Sequence, residues 1–475
     1  MGPMYPLCRA ARWRKATVAA LAARGMAVMA LVTGATWFSC TVATCGKAAI
    51  LAAAQPKQRP GATFAQLGNP RRTRSARRST GDVTTPSSTG EKARIVFLGS
   101  PACVRVVLKS LWQSAKDSTK SDKAGEALSA RFEVCAVVSQ PPKRVKKEIS
   151  QTPVHELAEE LGIPCILTPE TAKEEDFLAK LEAMRPDVCI TAAYGQYLPK
   201  RFLQIPRLGT LNLHPSLLPR WRGASPVQRA LEKGDTETGI TILYTVSKMD
   251  AGPIVLQRNI PLVGSETTPE LLETLFKWGA ELLLDEALPR VLRGDVTMAT
   301  AQKQDESLVI QAPLIAKEEG QLWPHNETSY QMRDKVRGFH GWPGTTLGVA
   351  LSGSAAPVQG MRIKVSQAEV VTASSLPASL GLDGAPSQEL FFVPSASLGG
   401  VPEPAVGLRT AVDPDNVLLL RSFQLPSKTE VPAVTFFKGY MTTQPARWMR
   451  PDEEEQLTAT GSGGSPTRVK KMRSR

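Results

Sequence analysis

Asn212 and His214 stand two residues apart in a short apolar run, and an acid, Asp250, follows a second β-branched run at 238–246. On a strand, residues i and i+2 leave the same face, so the amide and the imidazole would converge on one small group. A carboxylate just past a neighbouring strand is well placed to meet that imidazole. An amide that donates hydrogen bonds, a histidine that carries a proton and an acid that orients it are the parts that stabilise an oxyanion at an acyl carbon. A covalent acyl intermediate would call for Ser, Cys or Thr beside the histidine, but Ser216 lies two residues beyond it and no Gly-x-Ser-x-Gly elbow occurs. Direct acyl transfer is therefore the expected chemistry. Alone, His214 would be read as structural, and Asp250 in Asp-Ala-Gly as an ordinary turn; the combination is what points to a site.

The elements that must position these residues alternate. Residues 94–98, 132–138, 164–167, 188–193 and 210–214 read as strands, and 103–114, 154–161 and 173–184 as helices, with Thr152 and Pro153 supplying an N-cap and a first-turn proline. Such βαβ repetition predicts an α/β domain with a Rossmann-like, mainly parallel sheet, covered on both faces and binding ligands at the carboxyl ends of its strands. Tyr194, Gly195, Asn212 and His214 fall at such ends, and a long helical pattern at 269–292 closes the domain. Beyond residue 300 one helical segment, 328–338, precedes alternating runs at 346–351, 361–365, 389–393 and 416–421, which suggest a small β-barrel; the Ala-, Ser-, Gly- and Pro-rich stretch 366–413 reads as expanded loops.

Charge is distributed unevenly. Of the net +14, residues 1–90 carry +12 and residues 466–475 carry +5, which leaves 91–465 at −3, so contact with a polyanion must come from local patches. Residues 1–90, rich in Ala, Arg, Ser and Thr with Asp82 as the single acid, have the composition of a targeting presequence removed on import. A plain transit peptide, a signal-plus-transit leader and a membrane anchor compete for the uncharged run 25–46, and its poverty in Leu and Ile makes a permanent span the least favoured. The expected location is a plastid stroma or a mitochondrial matrix. Domain limits are expected at 1–90, 91–300, 301–455 and 456–475, the last a basic flexible tail. The seven cysteines form no Cys-x-x-Cys pair and the four histidines are scattered, so neither a metal nor a disulfide framework is expected. No phosphate- or dinucleotide-binding glycine fingerprint occurs, which argues against ATP and NAD chemistry.

Lys143, Arg144, Lys146 and Lys147 place four cations in five residues after Gln140-Pro-Pro142, either as an RNA-binding loop or as a solvated charged one. Arg220, Trp221 and Arg222 could touch nucleic acid or pair with acids of the core. Lys335, Arg337, Arg362, Lys364 and Lys438 are scattered candidates for phosphate contacts.

The run 212–229, Asn-Leu-His-Pro-Ser-Leu-Leu-Pro-Arg-Trp-Arg-Gly-Ala-Ser-Pro-Val-Gln-Arg, with Asp250-Ala-Gly, resembles the formyltransferases that use 10-formyltetrahydrofolate. Within them it is similar to the methionyl-tRNA formyltransferase family, organellar type, over 94–342, including Phe97-Leu-Gly-Ser-Pro101, Ala193-Tyr-Gly195, Gln304-Asp-Glu-Ser307 and Lys317-Glu-Glu319. The resemblance implies 10-formyltetrahydrofolate as formyl donor, initiator methionyl-tRNA as acceptor and no metal. It implies catalytic roles for Asn212, His214 and Asp250, a pteridine-seating wall at Ser216, Leu217, Leu218 and Pro219, and an OB-like C-terminal tRNA-binding domain. It also implies that the basic segment Lys143, Arg144, Lys146, Lys147 enters the acceptor stem, although that segment is shorter than the familiar one and lacks a Gly-Arg-Gly-Lys-Lys type of run. The expected protein is monomeric and makes no stable membrane contact. A formyltransferase for glycinamide ribonucleotide or an amino sugar is the alternative enzyme, and an inactive RNA-binding relative the alternative of another class.

Overall fold

The computed structural model describes residues 91–459, apart from 122–124, 126, 128–130, 146–147, 354–355, 385, 396–402 and 443–444. The expected presequence, Lys146, Lys147 and most of the expected basic tail lie outside the described residues. The helix Pro451–Ala459 reaches into the segment expected to begin a flexible tail.

Ten strands come from the first half of the described chain: β1 (Ala93–Gly99), β2 (Phe132–Val138), β3 (Lys143–Val145), β4 (Glu148–Ser150), β5 (Ile166–Leu167), β6 (Val188–Ala192), β7 (Thr210–His214), β8 (Arg220–Gly223), β9 (Glu237–Tyr244) and β10 (Ile254–Pro261). Seven of them form one sheet in the order β10-β9-β7-β6-β1-β2-β5. The pairs from β7 across to β5 are parallel, while β9 runs antiparallel to both β7 and β10. Alternation along β1 shows why both faces are covered. Ile95 and Phe97 join one core cluster with residues of the helices Arg105–Lys116 and Thr268–Leu282, and Val96 and Leu98 join another with Phe177, Leu181 and Phe202. The helix Pro153–Glu160 starts at Thr152, whose side chain accepts from the His155 amide at 3.2 Å. A capping box at Thr267 and Glu270 starts the helix Thr268–Leu282, and helical structure continues to Leu292.

The second half supplies β11 (Ile310–Ala312), which pairs with β8, and then β12 (Thr345–Gly353), β13 (Ala356–Thr372), β14 (Glu389–Val393), β15 (Ala405–Leu408), β16 (Asn416–Gln424), β17 (Glu430–Pro432) and β18 (Ala446–Trp448). The order β13-β12-β18-β14-β15-β16 closes through pairing of β13 with β16 into an OB-like barrel, and β17 adds to β16. The stretch 366–413 is not loop throughout, because β13 continues to Thr372 and β15 lies within it. Small side chains hid the alternation there, yet Ala405, Val406 and Leu408 are fully buried. The helix Ser329–Gly338 joins the barrel to the sheet domain: Thr268 Oγ1 donates to the Gly338 carbonyl at 2.6 Å, and a Cβ on Gly338 would lie 3.1 Å from the Gln228 carbonyl oxygen.

Candidate active site

β7 ends at the carboxyl edge of the sheet with Asn212 and His214 on one face, between parallel β6 and antiparallel β9. Thr191 on β6 donates its hydroxyl to Asn212 Oδ1 at 2.8 Å, which turns the Asn212 amide nitrogen the other way. That nitrogen faces Asp250 Oδ1 at 3.4 Å. The buried His214 ring has Nε2 2.9 Å from the Trp221 carbonyl oxygen and Nδ1 3.7 Å from Asp250 Oδ2. A carbonyl only accepts, so Nε2 carries the proton, and Nδ1 is an acceptor when the ring is neutral and a donor when it is charged.

Asp250 is thus set between the amide and the imidazole. Its Oδ2 also accepts from the Gly223 amide at 2.9 Å. Its backbone is left-handed, with φ +49°, a conformation that costs a residue with a side chain about 1–2 kcal/mol and must be held by its surroundings. Two glycines permit those surroundings. A Cβ on Gly223, at φ +135°, would meet the Ala312 carbonyl oxygen at 2.4 Å, and one on Gly252 would meet the Tyr244 carbonyl oxygen at 1.7 Å. The 3.4 and 3.7 Å separations exceed ordinary hydrogen bonds. Asn212 Nδ2 and His214 Nδ1 are therefore only loosely engaged and open to a stronger acceptor, an arrangement common where catalytic bonds tighten on substrate binding.

Neighbouring loops are pinned to this edge. Ala193 (φ +44°) and Gly195 (φ +80°) turn the chain after β6, and the Tyr194 carbonyl accepts from Ser100 Oγ at 3.3 Å and Gln140 Nε2 at 3.0 Å, tying the ends of β1, β2 and β6 together. Burial raises the Tyr194 phenol above its ordinary range. Gln196 Oε1, one residue past Gly195, is a buried polar atom without a protein partner.

The segment Ser216 to Pro219 is a tight turn with a cis Leu218–Pro219 peptide. Ser216 is wholly buried and donates its hydroxyl to the Arg220 carbonyl at 2.8 Å, and Leu218 packs inward with Leu243 and Ile254. Leu217 and Pro219 are only half-buried, so they and the main chain form the outer surface of the turn. Behind it lies a cavity of about 350 Å³ lined by Leu217, Arg220, Trp221, Asp235 and Thr236 among others, away from Asn212, His214 and Asp250.

Arg220, Trp221 and Arg222 pair inside the protein. Arg220 and the Trp221 indole nitrogen both donate to Asp235, at 2.5–2.9 Å, while Arg222, 1% exposed, donates to Gln304 and Glu306. Bonds from Arg222 and then Lys248 hold the Glu306 carboxyl down to about 2. Lys143 and Arg144 are exposed on β3, which forms a hairpin with β4 rather than a loop and leaves the same sheet edge as the site. Of the scattered cations, Lys335 is bound to Glu327 and the Gln321 carbonyl, Arg337 to Asp334 and Arg362 to Glu454, whereas Lys364 and Lys438 are exposed. Thr191, Gly223, Arg222 and Gln304 were not legible as site residues; the Gln304-Asp-Glu-Ser307 run marked only the neighbourhood. Among the described residues no three His, Cys, Asp or Glu side chains gather as metal ligands, and no helix is long and apolar enough to cross a membrane.

A formyl transferase family model matches residues 94–287. The chain is 42% identical over 227 residues to the methionyl-tRNA formyltransferase of Limosilactobacillus fermentum, an alignment covering 47% of this chain and 66% of that one. It is 43% identical over 256 residues to the enzyme of the same name from Deinococcus radiodurans, covering 53% and 73%. Against that of Paramagnetospirillum magneticum it is 38% identical over 291 residues, covering 60% of this chain and 85% of the relative.

Proposed function

Because the chain belongs to the methionyl-tRNA formyltransferases, we propose that it moves the formyl group of 10-formyltetrahydrofolate to the α-amine of initiator methionyl-tRNA, supporting translation initiation in a plastid or mitochondrion. The observation that carries the chemistry is the Asp250 carboxylate set between the Asn212 amide and His214 Nδ1. For the donor, the half-buried Leu217 and Pro219 of the turn that follows His214 offer apolar surface, and the buried Gln196 Oε1 offers an unclaimed polar atom. When bound, the folate supplies a formyl carbon on a nitrogen that can leave.

The neutral α-amine attacks the formyl carbon, whose carbonyl electrons move onto oxygen. Asn212 Nδ2 and the protonated His214 Nδ1 donate to that oxygen as charge develops. Asp250, its Oδ2 3.7 Å from Nδ1, faces the imidazole and, through water, relays the proton released by the amine to N10 as the carbon–nitrogen bond breaks. The products are formyl-methionyl-tRNA and tetrahydrofolate. Because His214 Nε2 is anchored to Trp221, the ring can gain and lose its proton at Nδ1 without turning.

Initiator selection is assigned to the exposed hairpin cations Lys143 and Arg144, with Lys146 and Lys147 completing the run. Organellar delivery is assigned to the acid-poor residues 1–90. The deciding experiment mixes purified protein with 10-formyltetrahydrofolate and either initiator or elongator methionyl-tRNA. Formyl transfer to the initiator alone is expected. Transfer to neither defeats the reading, and equal transfer to both defeats initiator selection. Import of a reporter carrying residues 1–90 into isolated plastids or mitochondria tests the location.

A further inference from the structure

We infer that Gln304 is a positioning residue for the reaction: its amide locks the turn that carries Asp250 to the strand that anchors His214. The inference rests on the catalytic reading above. One Gln304 nitrogen donates to two carbonyls of the turn, Asp250 O at 2.8 Å and Gly252 O at 2.7 Å. Its oxygen accepts from Arg222 Nε at 3.0 Å and Nη2 at 2.7 Å. Arginine only donates and carbonyls only accept, so the amide has one orientation that satisfies all four contacts.

The location gives these contacts their consequence. Arg222 lies between Trp221, whose carbonyl takes the His214 Nε2 proton, and Gly223, whose amide holds Asp250 Oδ2. Gln304 therefore joins the two loops on which the Asp250–His214 distance depends, across 54 residues of sequence on one side and 82 on the other. It also fixes the carbonyl of the left-handed Asp250 itself, whose strained backbone would relax if released. Glu306 reinforces the lock from outside, accepting from Arg222 Nη2 at 2.9 Å and from Lys248 Nζ, two residues before Asp250, at 2.7 Å.

A side chain at 304 must therefore donate on one side and accept on the other. Gln304→Glu keeps the shape and the Arg222 contact but sets an acceptor against two carbonyls, so the turn should move while the fold stands. A displacement of the order of 1 Å at a catalytic group commonly costs about a hundredfold. The test measures kcat, both KM values and the pH–rate profile of Gln304→Glu, alone and with Asp250→Asn, beside thermal unfolding. Expected are a kcat lower by about 10- to 100-fold, KM within about twofold, a displaced pH profile and no further loss when Asp250 is already Asn. Wild-type kcat and pH profile in folded Gln304→Glu, or losses that multiply in the double variant, would overturn the inference. If Gln304→Glu does not fold, Gln304→Asn, one methylene shorter and still an amide, takes the same measurements. Imidazole ¹⁵N signals give a readout that needs no turnover, with His214 identified among the four histidines by its loss in His214→Gln. A displaced His214 titration in Gln304→Glu supports the lock, and an unchanged one overturns it. Should the wild-type chain transfer no formyl group, the functional reading fails, and the imidazole signals alone decide the positioning role.

Discussion

The Trp221 carbonyl oxygen sits 2.9 Å from His214 Nε2, which makes that nitrogen the protonated anchor and leaves Nδ1 facing Asp250 Oδ2 at 3.7 Å. The two nitrogens can be separated by substitution. A glutamine at 214 reaches the position of Nε2 and can keep the bond to Trp221, but places nothing at Nδ1. His214→Gln should therefore keep a melting temperature near wild type and lose about 10²- to 10⁴-fold in kcat, the range typical of a lost general acid–base. Circular dichroism and steady-state formylation check this; near-normal turnover would show that Nδ1 is not the catalytic face.

Asn212 is fixed for donation, because Thr191 occupies its oxygen. Asn212→Ala removes a donor that matters most as charge develops, so kcat should fall by about 10²–10³ with KM for both substrates little changed. The lost Thr191 bond costs about 1 kcal/mol of stability. A rise in KM at constant kcat would instead assign Asn212 to ground-state binding.

Gly223 couples the fold to the site. A Cβ there would lie 2.4 Å from the Ala312 carbonyl oxygen, so Gly223→Ala must separate β8 from β11 and withdraw the amide that holds Asp250 Oδ2. The expected result is a loss of about 1–3 kcal/mol in stability from backbone strain, with kcat down by more than about tenfold. Denaturant unfolding and activity measured on the same preparation test whether both effects appear together.

What the sequence revealed and what it hid divide along chain distance. Asn212 and His214 were legible because a strand's two-residue period places them together without help from elsewhere, and the β1, β2, β6 and β7 strands were legible as apolar runs between helical segments. Thr191, Gly223, Arg222 and Gln304 act through partners 21 to 82 residues away, and no local pattern announces such contacts. Arg220 and Arg222 were open to either an RNA or a core role, and only the placement of Asp235, Gln304 and Glu306 decided for pairing within the protein. In the barrel, Ala and Ser in β13 and β15 mimic a loop composition while their backbone pairs as strands.

The β3–β4 hairpin leaves the sheet between Gln140, which touches the Tyr194 carbonyl, and Thr152, and its Lys143 and Arg144 are exposed, which makes them the pair on which the proposed tRNA contact is tested. Replacing both by Glu should raise KM for tRNA and leave KM for folate unchanged. Each lost phosphate contact should also reduce the slope of log affinity against log salt by about 0.7–0.9. An unchanged salt slope would make the hairpin a solvated arm.

Stability at acid pH depends on carboxylates paired with arginine. Arg447 is the main cause holding Glu453 down to about 2, and Arg229 lowers Glu319 in the same way, whereas an unfolded glutamate titrates near about 4.3. The folded state thus binds these protons less readily than the unfolded one. The pairs contribute fully above about pH 4.5, and the Glu453 contribution is lost as pH falls towards 2. Glu453 also accepts from the Arg450 amide at 2.9 Å, at the start of the helix Pro451–Ala459, so its protonation should loosen that helix from β18 before the sheet domain responds. Arg447→Met should lower the melting temperature at pH 7, flatten its decline between pH 4.5 and 2, and leave formyl transfer at pH 7 intact. A decline as steep as in wild type would mean that other carboxylates set the acid limit.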